Sequence, residues 1–213
     1  MASDMKQWLI VPMALAVASM AAAQVTPQET GQKGWHVDAV SGVFSGGTWA
    51  QTRTDLGEPV KVTTDEGWLI GVRAGQDTEF LGWEASVAGV FADMDVKAAP
   101  QVLGVDSAED SGLVLLDVNG LWYPFGDNLG DGRIKPYGSI GPGLAYFTSD
   151  YSDVDNELMF DVNLGFGVKF LLGDQGNPVI RADYRWYAMY GSDDDMRNRI
   201  YRQALTLGIG WNF

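Results

Sequence analysis

At 213 residues the chain is long enough for one ordinary domain, or for a barrel that forms a single unit. Its net charge of −14 leaves no basic stripe to neutralise phosphates, which argues against a nucleic-acid partner, and the lack of cysteine excludes disulfides and thiolate metal sites. Hydrophobic residues make up 46% of the chain, yet beyond the N-terminal segment no run approaches the ~20 apolar residues of a membrane-crossing helix.

The first element is a leader. Lys6 precedes the apolar run WLIVPMALAVASM, and the small residues AAAQ follow it. A charged start, a short apolar stretch and a small-residue cleavage site predict an export signal over residues 1–23, cut after Ala23. Residues 24–34, QVTPQETGQKG, then read as a periplasmic linker without periodicity.

From residue 35 onward the period is two, not 3.6. The most regular stretch is LMFDVNLGFGVKF, where Leu158, Phe160, Val162, Leu164, Phe166, Val168 and Phe170 alternate with Met159, Asp161, Asn163, Gly165, Gly167 and Lys169. A strand with seven large apolar residues on one face and Asp, Asn and Lys on the other needs oil on one side and a polar interior on the other. A membrane strand of ~9–11 tilted residues has that length. The same test predicts eight strands, at about 35–44, 67–75, 80–92, 112–123, 134–147, 158–170, 178–189 and 200–213. Their outward faces carry Trp35, Trp68, Trp83, Trp122, Tyr146, Trp186 and Trp211, mostly near strand ends, as rings at a membrane interface would be. The fold class this implies is all-β: an eight-stranded antiparallel up-and-down transmembrane barrel over residues 35–213.

The connections alternate in length. Those at 45–66, 93–111, 148–157 and 190–199 are long, and those at 76–79, 124–133 and 171–177 are mostly short and turn-like. Long outside and short inside is the outer-membrane pattern. The four long connections hold sixteen acidic against five basic residues, so most of the negative charge belongs to the outward surface.

Parity assigns the other face to the lumen. Asp38, Glu84, Asp117, Asp161 and Asp183 point inward together with Arg73, Lys169, Arg181, Arg185 and Arg202. Five acids against five bases predict a filled, self-neutralising interior, because charges taken from water must be paired. An ion pathway is the alternative, although a pore would carry an excess of one sign. In the outward runs DYSDVDNE and SDDD, the weak calcium candidates are Asp150, Asp153, Asp155 and Glu157. They lack EF-hand spacing and its turn glycine, so no metal site and no cofactor is expected. His36, the one histidine, reads as a strand-end polar residue. No GxSxG, P-loop or zinc spacing is present, so no catalytic residue is assigned. The glycine-rich GSIGPGLAYF at 138–147 fits a strand whose Gly141 and Gly143 leave room in the lumen better than a nucleotide loop.

WYPFGD at 122–127, KPYGSIGPGLAYF at 135–147, ADYRWY at 182–187 and LTLGIGWNF at 205–213 resemble the small OmpA/OmpX-type outer-membrane β-barrel proteins. The resemblance spans essentially the whole chain after the leader and is specific for architecture, not for function. It implies a monomer in outer-membrane lipid and lipopolysaccharide, delivered by periplasmic chaperones. Insertion would be by the barrel assembly machinery, which reads a C-terminal strand ending in an aromatic; here that strand offers Tyr201, Leu205, Leu207, Ile209, Trp211 and Phe213. The chain stops at Phe213 without the periplasmic peptidoglycan-binding domain of full-length OmpA, so wall tethering is not implied. The expected role is a non-enzymatic barrel serving envelope integrity or surface interaction. A narrow gated channel for ions or small solutes is the first alternative and a lipid-modifying outer-membrane enzyme the second.

Overall fold

The computed structural model describes residues 34–53, 59–97, 109–126, 129–130, 132–149, 157–172, 178–191 and 200–213. Among these, ten strands follow one another: β1 (Gly34–Phe44), β2 (Gly47–Arg53), β3 (Pro59–Thr64), β4 (Gly67–Asp77), β5 (Leu81–Lys97), β6 (Glu109–Trp122), β7 (Ile134–Ser149), β8 (Glu157–Leu171), β9 (Pro178–Tyr190) and β10 (Ile200–Asn212). All pairings are antiparallel. Eight strands, in the order β5-β4-β1-β10-β9-β8-β7-β6, close on themselves through β5–β6. The predicted leader, 1–23, and the predicted linker, 24–34, lie outside the described residues except for Gly34, which begins β1.

Closure requires a stagger. Asp38 aligns with Arg73, Arg73 with Ser86, Ser86 with Asp117, Asp117 with Gly143, Gly143 with Asp161, Asp161 with Met189 and Met189 with Ile200. Asp38 itself lies against Gly210, so one circuit of the ladder advances ten residues along β10. That offset tilts the strands and carries residues from distant parts of the chain to one height inside the barrel.

The eight predicted strands are the barrel staves, but the stretch 45–66 is more than a connection. It contains β2 and β3, which pair with each other, and β3 continues onto the far end of β5, with Lys61 opposite Lys97 and Thr64 opposite Met94. β5 accordingly runs to Lys97, beyond the predicted end at 92. This extension continues the sheet beyond the end of β4 at the long-connection side.

The burial pattern is inverted relative to a water-soluble protein. Leu158, Phe160, Leu164 and Phe166 are exposed, while Asp161, Asn163, Lys169, Arg181 and Arg185 are buried. The seven predicted interface rings, Trp35, Trp68, Trp83, Trp122, Tyr146, Trp186 and Trp211, are all exposed on the outer wall. Leaving so much contiguous apolar surface in water would be very costly, so the outer wall is built for hydrocarbon.

Candidate functional site: the barrel interior

The interior is the only part of the molecule where described charged groups are concentrated and buried. At the end bearing Gly34, Asn212 and the short connections, Arg181 is the central group. Its parity on β9 with Asp183 and Arg185 turns all three inward, and the stagger brings β1 and β5 residues alongside. Arg181 Nη1 donates to Asp38 Oδ2 at 2.7 Å and to Glu84 Oε2 at 3.0 Å. Its Nη2 donates to Tyr137 Oη at 2.5 Å and to Asp183 Oδ1 at 3.0 Å, and its Nε donates to Asp183 Oδ2 at 3.0 Å. Every N–H direction of a fully buried guanidinium is thus directed at an oxygen, the condition under which burial of that charge is tolerable.

Around it the same acids are shared. Arg73 Nη1 donates to Asp183 Oδ2 at 2.7 Å and Nη2 to Thr206 Oγ1 at 3.4 Å. Arg185 donates to Glu84 Oε1, and Tyr137 Oη donates to Asp183 Oδ1. One layer nearer the short connections, Lys169 Nζ donates to Asp77 Oδ2 at 2.6 Å and to Tyr123 Oη at 2.9 Å. Tyr123 Oη in turn donates to Asp77 Oδ1 at 2.6 Å. The ammonium also lies 5.5 and 5.7 Å from the ring centres of Tyr123 and Tyr137.

His36 is not the solvated strand-end residue that its position suggested. It is buried, with Nδ1 3.5 Å from Asp77 Oδ2 and Nε2 3.9 Å from Asp38 and 4.0 Å from Glu84. The first strand begins deeper in the barrel than a chain end implies, because β10 runs beside it to Asn212.

All ten inward charges predicted from parity are buried. Seven of them, Asp38, Arg73, Glu84, Lys169, Arg181, Asp183 and Arg185, belong to the groups just described. Three do not. Arg202 lies toward the long connections, where its Nη1 donates to the Tyr201 carbonyl at 3.0 Å. Asp117 and Asp161 sit at mid-height and form no ion pair within 4.0 Å among the described residues; Asp117 accepts instead from Ser86 Oγ at 3.1 Å. Counting only charges left out Tyr123, Tyr137 and Thr206, whose parity is inward, and it missed Asp77. Asp77 shares the parity of Arg73 but falls beyond the predicted end of its strand at 75.

The half nearest the long connections is different in kind. Val40, Phe44, Leu69, Val90, Leu113, Leu115, Phe147, Met159, Met189 and Ile200 all turn inward and form one apolar cluster with Tyr187. The Phe44 and Tyr187 rings stand 5.8 Å apart. The interior is therefore charged below and, Arg202 apart, apolar above among the described residues.

On the wall, the β6–β7 ladder lapses between Asp117–Gly143 and Gly120–Ile140, where Pro142 supplies no N–H. A lipid-side groove of about 480 Å³ lies over this seam, lined by Val87, Leu116, Val118, Pro142, Leu144 and Phe160. The predicted assembly residues Tyr201, Leu205, Leu207, Ile209, Trp211 and Phe213 are all exposed along β10 and the residue after it, and Phe213 N donates to the Trp35 carbonyl at 2.8 Å. Of the calcium candidates, Asp150, Asp153 and Asp155 lie outside the described residues, and Glu157 is placed only as the first residue of β8. No group of three or more His, Asp or Glu side chains able to hold a metal occurs among the described residues.

Comparison with known proteins agrees with this architecture. The family model for the outer membrane protein beta-barrel domain matches residues 11–213. Neisserial surface protein A has a similar solved structure at 14% identity and a TM-score of 0.57, covering 84% of this chain and 97% of its own. The outer membrane protein OprG from Pseudomonas aeruginosa is similar at 14% identity and 0.58, covering 85% and 96%. The outer membrane protein AlkL is similar at 12% identity and 0.55, covering 89% and 96%. These likenesses concern the fold alone. No curated protein sequence matches the chain.

Proposed function

Because the chain belongs to the outer membrane protein β-barrel family, we propose that it is a closed, non-conducting barrel that reinforces the envelope and presents an acidic outward surface for interaction. Its place is the outer membrane, in contact with lipid and lipopolysaccharide. The observation that carries the reading is the filling of the interior by two unlike layers. Ion pairs around Arg181 occupy the half with short connections, and the cluster of Phe44, Leu69, Leu115 and Phe147 occupies the other. Ions following the barrel axis would have to break a buried salt-bridge network and then cross a layer of packed apolar side chains, each an energetic barrier. The sixteen acids against five bases of the long connections suit cationic partners or divalent-ion bridging to lipopolysaccharide.

Planar-bilayer recording of the refolded protein tests this directly. Closed membranes are expected; a reproducible open state that changes when Arg181 or Arg185 is replaced would establish the channel alternative instead. The enzyme alternative predicts altered lipid A masses in cells making the protein, whereas a non-enzymatic barrel leaves them unchanged. We further propose that the barrel is a monomer and is inserted by the assembly machinery, with β10 and Phe213 as the recognised end.

A further inference from the structure

The tripeptide Asp-Val-Asn occurs twice, at 117–119 in β6 and at 161–163 in β8. Between them in the sheet runs β7, which carries Gly-Pro-Gly at 141–143. Register brings the three together: Gly143 pairs with Asp117 on one side and with Asp161 on the other, and Gly141 pairs with Asn163. Asn119 flanks Gly141 from the opposite side, since a Cβ on Gly141 would lie 2.5 Å from Asn119 Oδ1.

The glycines matter because strands two apart stand roughly 9.6 Å from one another, and an ordinary side chain on β7 would fill that space. With none there, the two acids lean over the same residue. A Cβ added to Gly143 would strike both Asp161 Oδ2 and Asp117 Oδ1. Two carboxylates therefore face each other across Gly143, with two amides beside them across Gly141.

All four side chains are buried, none more than 4% exposed. Asp117 Oδ1, both oxygens of Asp161 and both amide atoms of Asn119 and of Asn163 have no hydrogen-bond partner among the described residues. The Asn163 amide lies beside Asp161 on its own strand without reaching hydrogen-bond geometry. Arg185 donates to Glu84 through Nη2 and forms no ion pair with either aspartate, and its buried Nε and Nη1 have no hydrogen-bond partner among the described residues. Ser86, which donates to Asp117 Oδ2, is neutral.

Three things can relieve such an arrangement. Water satisfies the amides but leaves two anions facing each other. A shared proton relieves the anions but leaves the four amide atoms without partners. A hard divalent cation is neutralised by the two carboxylates and takes the two amide oxygens as further ligands in an all-oxygen set, which leaves only the amide N–H groups to water. We propose that the paired Asp-Val-Asn motifs form an internal cation site, with Asp117, Asp161, Asn119 and Asn163 as ligands and Ca²⁺ as the best-matched ion. Ca²⁺ accepts the irregular geometry of a strand wall, with waters filling its remaining positions, where Mg²⁺ demands a near-ideal octahedron. The site is distinct from the outward acidic connections and from the ion pairs around Arg181.

The test is to refold the protein into phosphatidylcholine vesicles with ⁴⁵Ca²⁺ present, dialyse, and count the ion retained per folded barrel. The expected value for the wild type is about one. It should vanish in D117N/D161N and in the single variant D161N, and survive in a variant with Asp150, Asp153, Asp155 and Glu157 all neutralised. Ca²⁺ at about 100 times its Kd should also shift the wild-type unfolding equilibrium about 100-fold against EGTA, and leave D117N/D161N unmoved. Retention that persists in D117N/D161N, or that disappears with the outward acids, overturns the proposal. So does a wild type that holds no Ca²⁺ and instead grows more stable as the pH falls, which would identify a shared proton.

Discussion

Arg181→Met is the most informative single change in the interior. The arginine is fully buried and holds three carboxylates, with Asp38 at 2.7 Å, Glu84 at 3.0 Å and Asp183 at 3.0 Å. The acids do not suffer equally when it is removed. Asp183 keeps Arg73 at 2.7 Å, and Glu84 keeps Arg185. Among the described residues Asp38 keeps only His36 at 3.9 Å, and its Oδ1 already has no partner there. The cost is then that of one buried carboxylate stripped of its charge partner, about 3–5 kcal/mol, or roughly a hundred- to several-thousand-fold in the folding equilibrium. Arg73→Met should cost less, about 1–3 kcal/mol, because Asp183 retains Arg181 and Tyr137. Adding Asp38→Asn to Arg181→Met should recover a large part of the loss, a coupling that a double-mutant cycle isolates. The assay is urea unfolding in lipid vesicles, followed by tryptophan fluorescence and by the gel mobility of heated and unheated samples. An Arg181→Met barrel within about 1 kcal/mol of wild type, or no recovery on neutralising Asp38, would refute the reasoning. It would mean that water, not protein, satisfies these acids.

Leu164→Arg places a charge at mid-height on the lipid face and should destabilise by about 2–4 kcal/mol in the same titration, while leaving detergent-solubilised secondary structure unchanged. Gly143→Ala should cost about 1–3 kcal/mol, because its methyl meets the Asp117 and Asp161 carboxylates. Gly138→Ala, whose methyl finds nothing closer than 4.0 Å, is expected to be neutral, so equal effects of the two would show that space at Gly143 is not limiting. Deleting Phe213 should lower the folded fraction in cells more than an equally short deletion within residues 24–33. It removes a terminal aromatic and the 2.8 Å bond from its N–H to the Trp35 carbonyl. Pulse-labelling with heat-modifiable mobility compares the two, and equal assembly would count against a C-terminal signal.

Alternation was the readable part of this sequence because two solvents enforce it. On β8, lipid requires Leu158, Phe160, Leu164 and Phe166 on one face, and the interior collects Asp161, Asn163 and Lys169 on the other. Where one solvent is missing, the signal fades. β2 and β3 continue the sheet beyond the eight staves, and GTWAQTR and PVKVTT lack the large apolar residue at every second position that marks a stave, so they read as a connection. Asp77 was lost for a related reason: beyond residue 75 the residues become polar on both faces, and the strand appears to stop before it does.

Which inward charges meet is a different question, and parity cannot answer it. Arg181 in β9 touches Asp38, 143 residues away in β1, and Glu84, 97 residues away in β5. Both meetings follow from the ten-residue stagger, a property of the closed sheet and of no single strand. The repeated Asp-Val-Asn shows the same limit: both copies are visible in the sequence, but only the register sets them astride Gly141 and Gly143. Stagger also explains why the interior divides into layers when the inward row of one strand looks mixed. β6 and the residue after it turn Leu113, Leu115, Asp117, Asn119, Leu121 and Tyr123 inward in succession. Its leucines 113 and 115 fall level with Phe147 and Met159, its Asp and Asn level with the glycines of β7, and Tyr123 level with Lys169. The apolar layer then does more than fill space. By keeping bulk water from the long-connection side, it lowers the local dielectric around the charges beneath it, which strengthens each satisfied ion pair and raises the cost of any that is broken. A polar substitution in that layer, such as Leu115→Asn, should therefore weaken the Arg181 network without touching it, so that Arg181→Met costs less in the Leu115→Asn background than alone. A double-mutant cycle that finds the two changes strictly additive would show that the layers act independently.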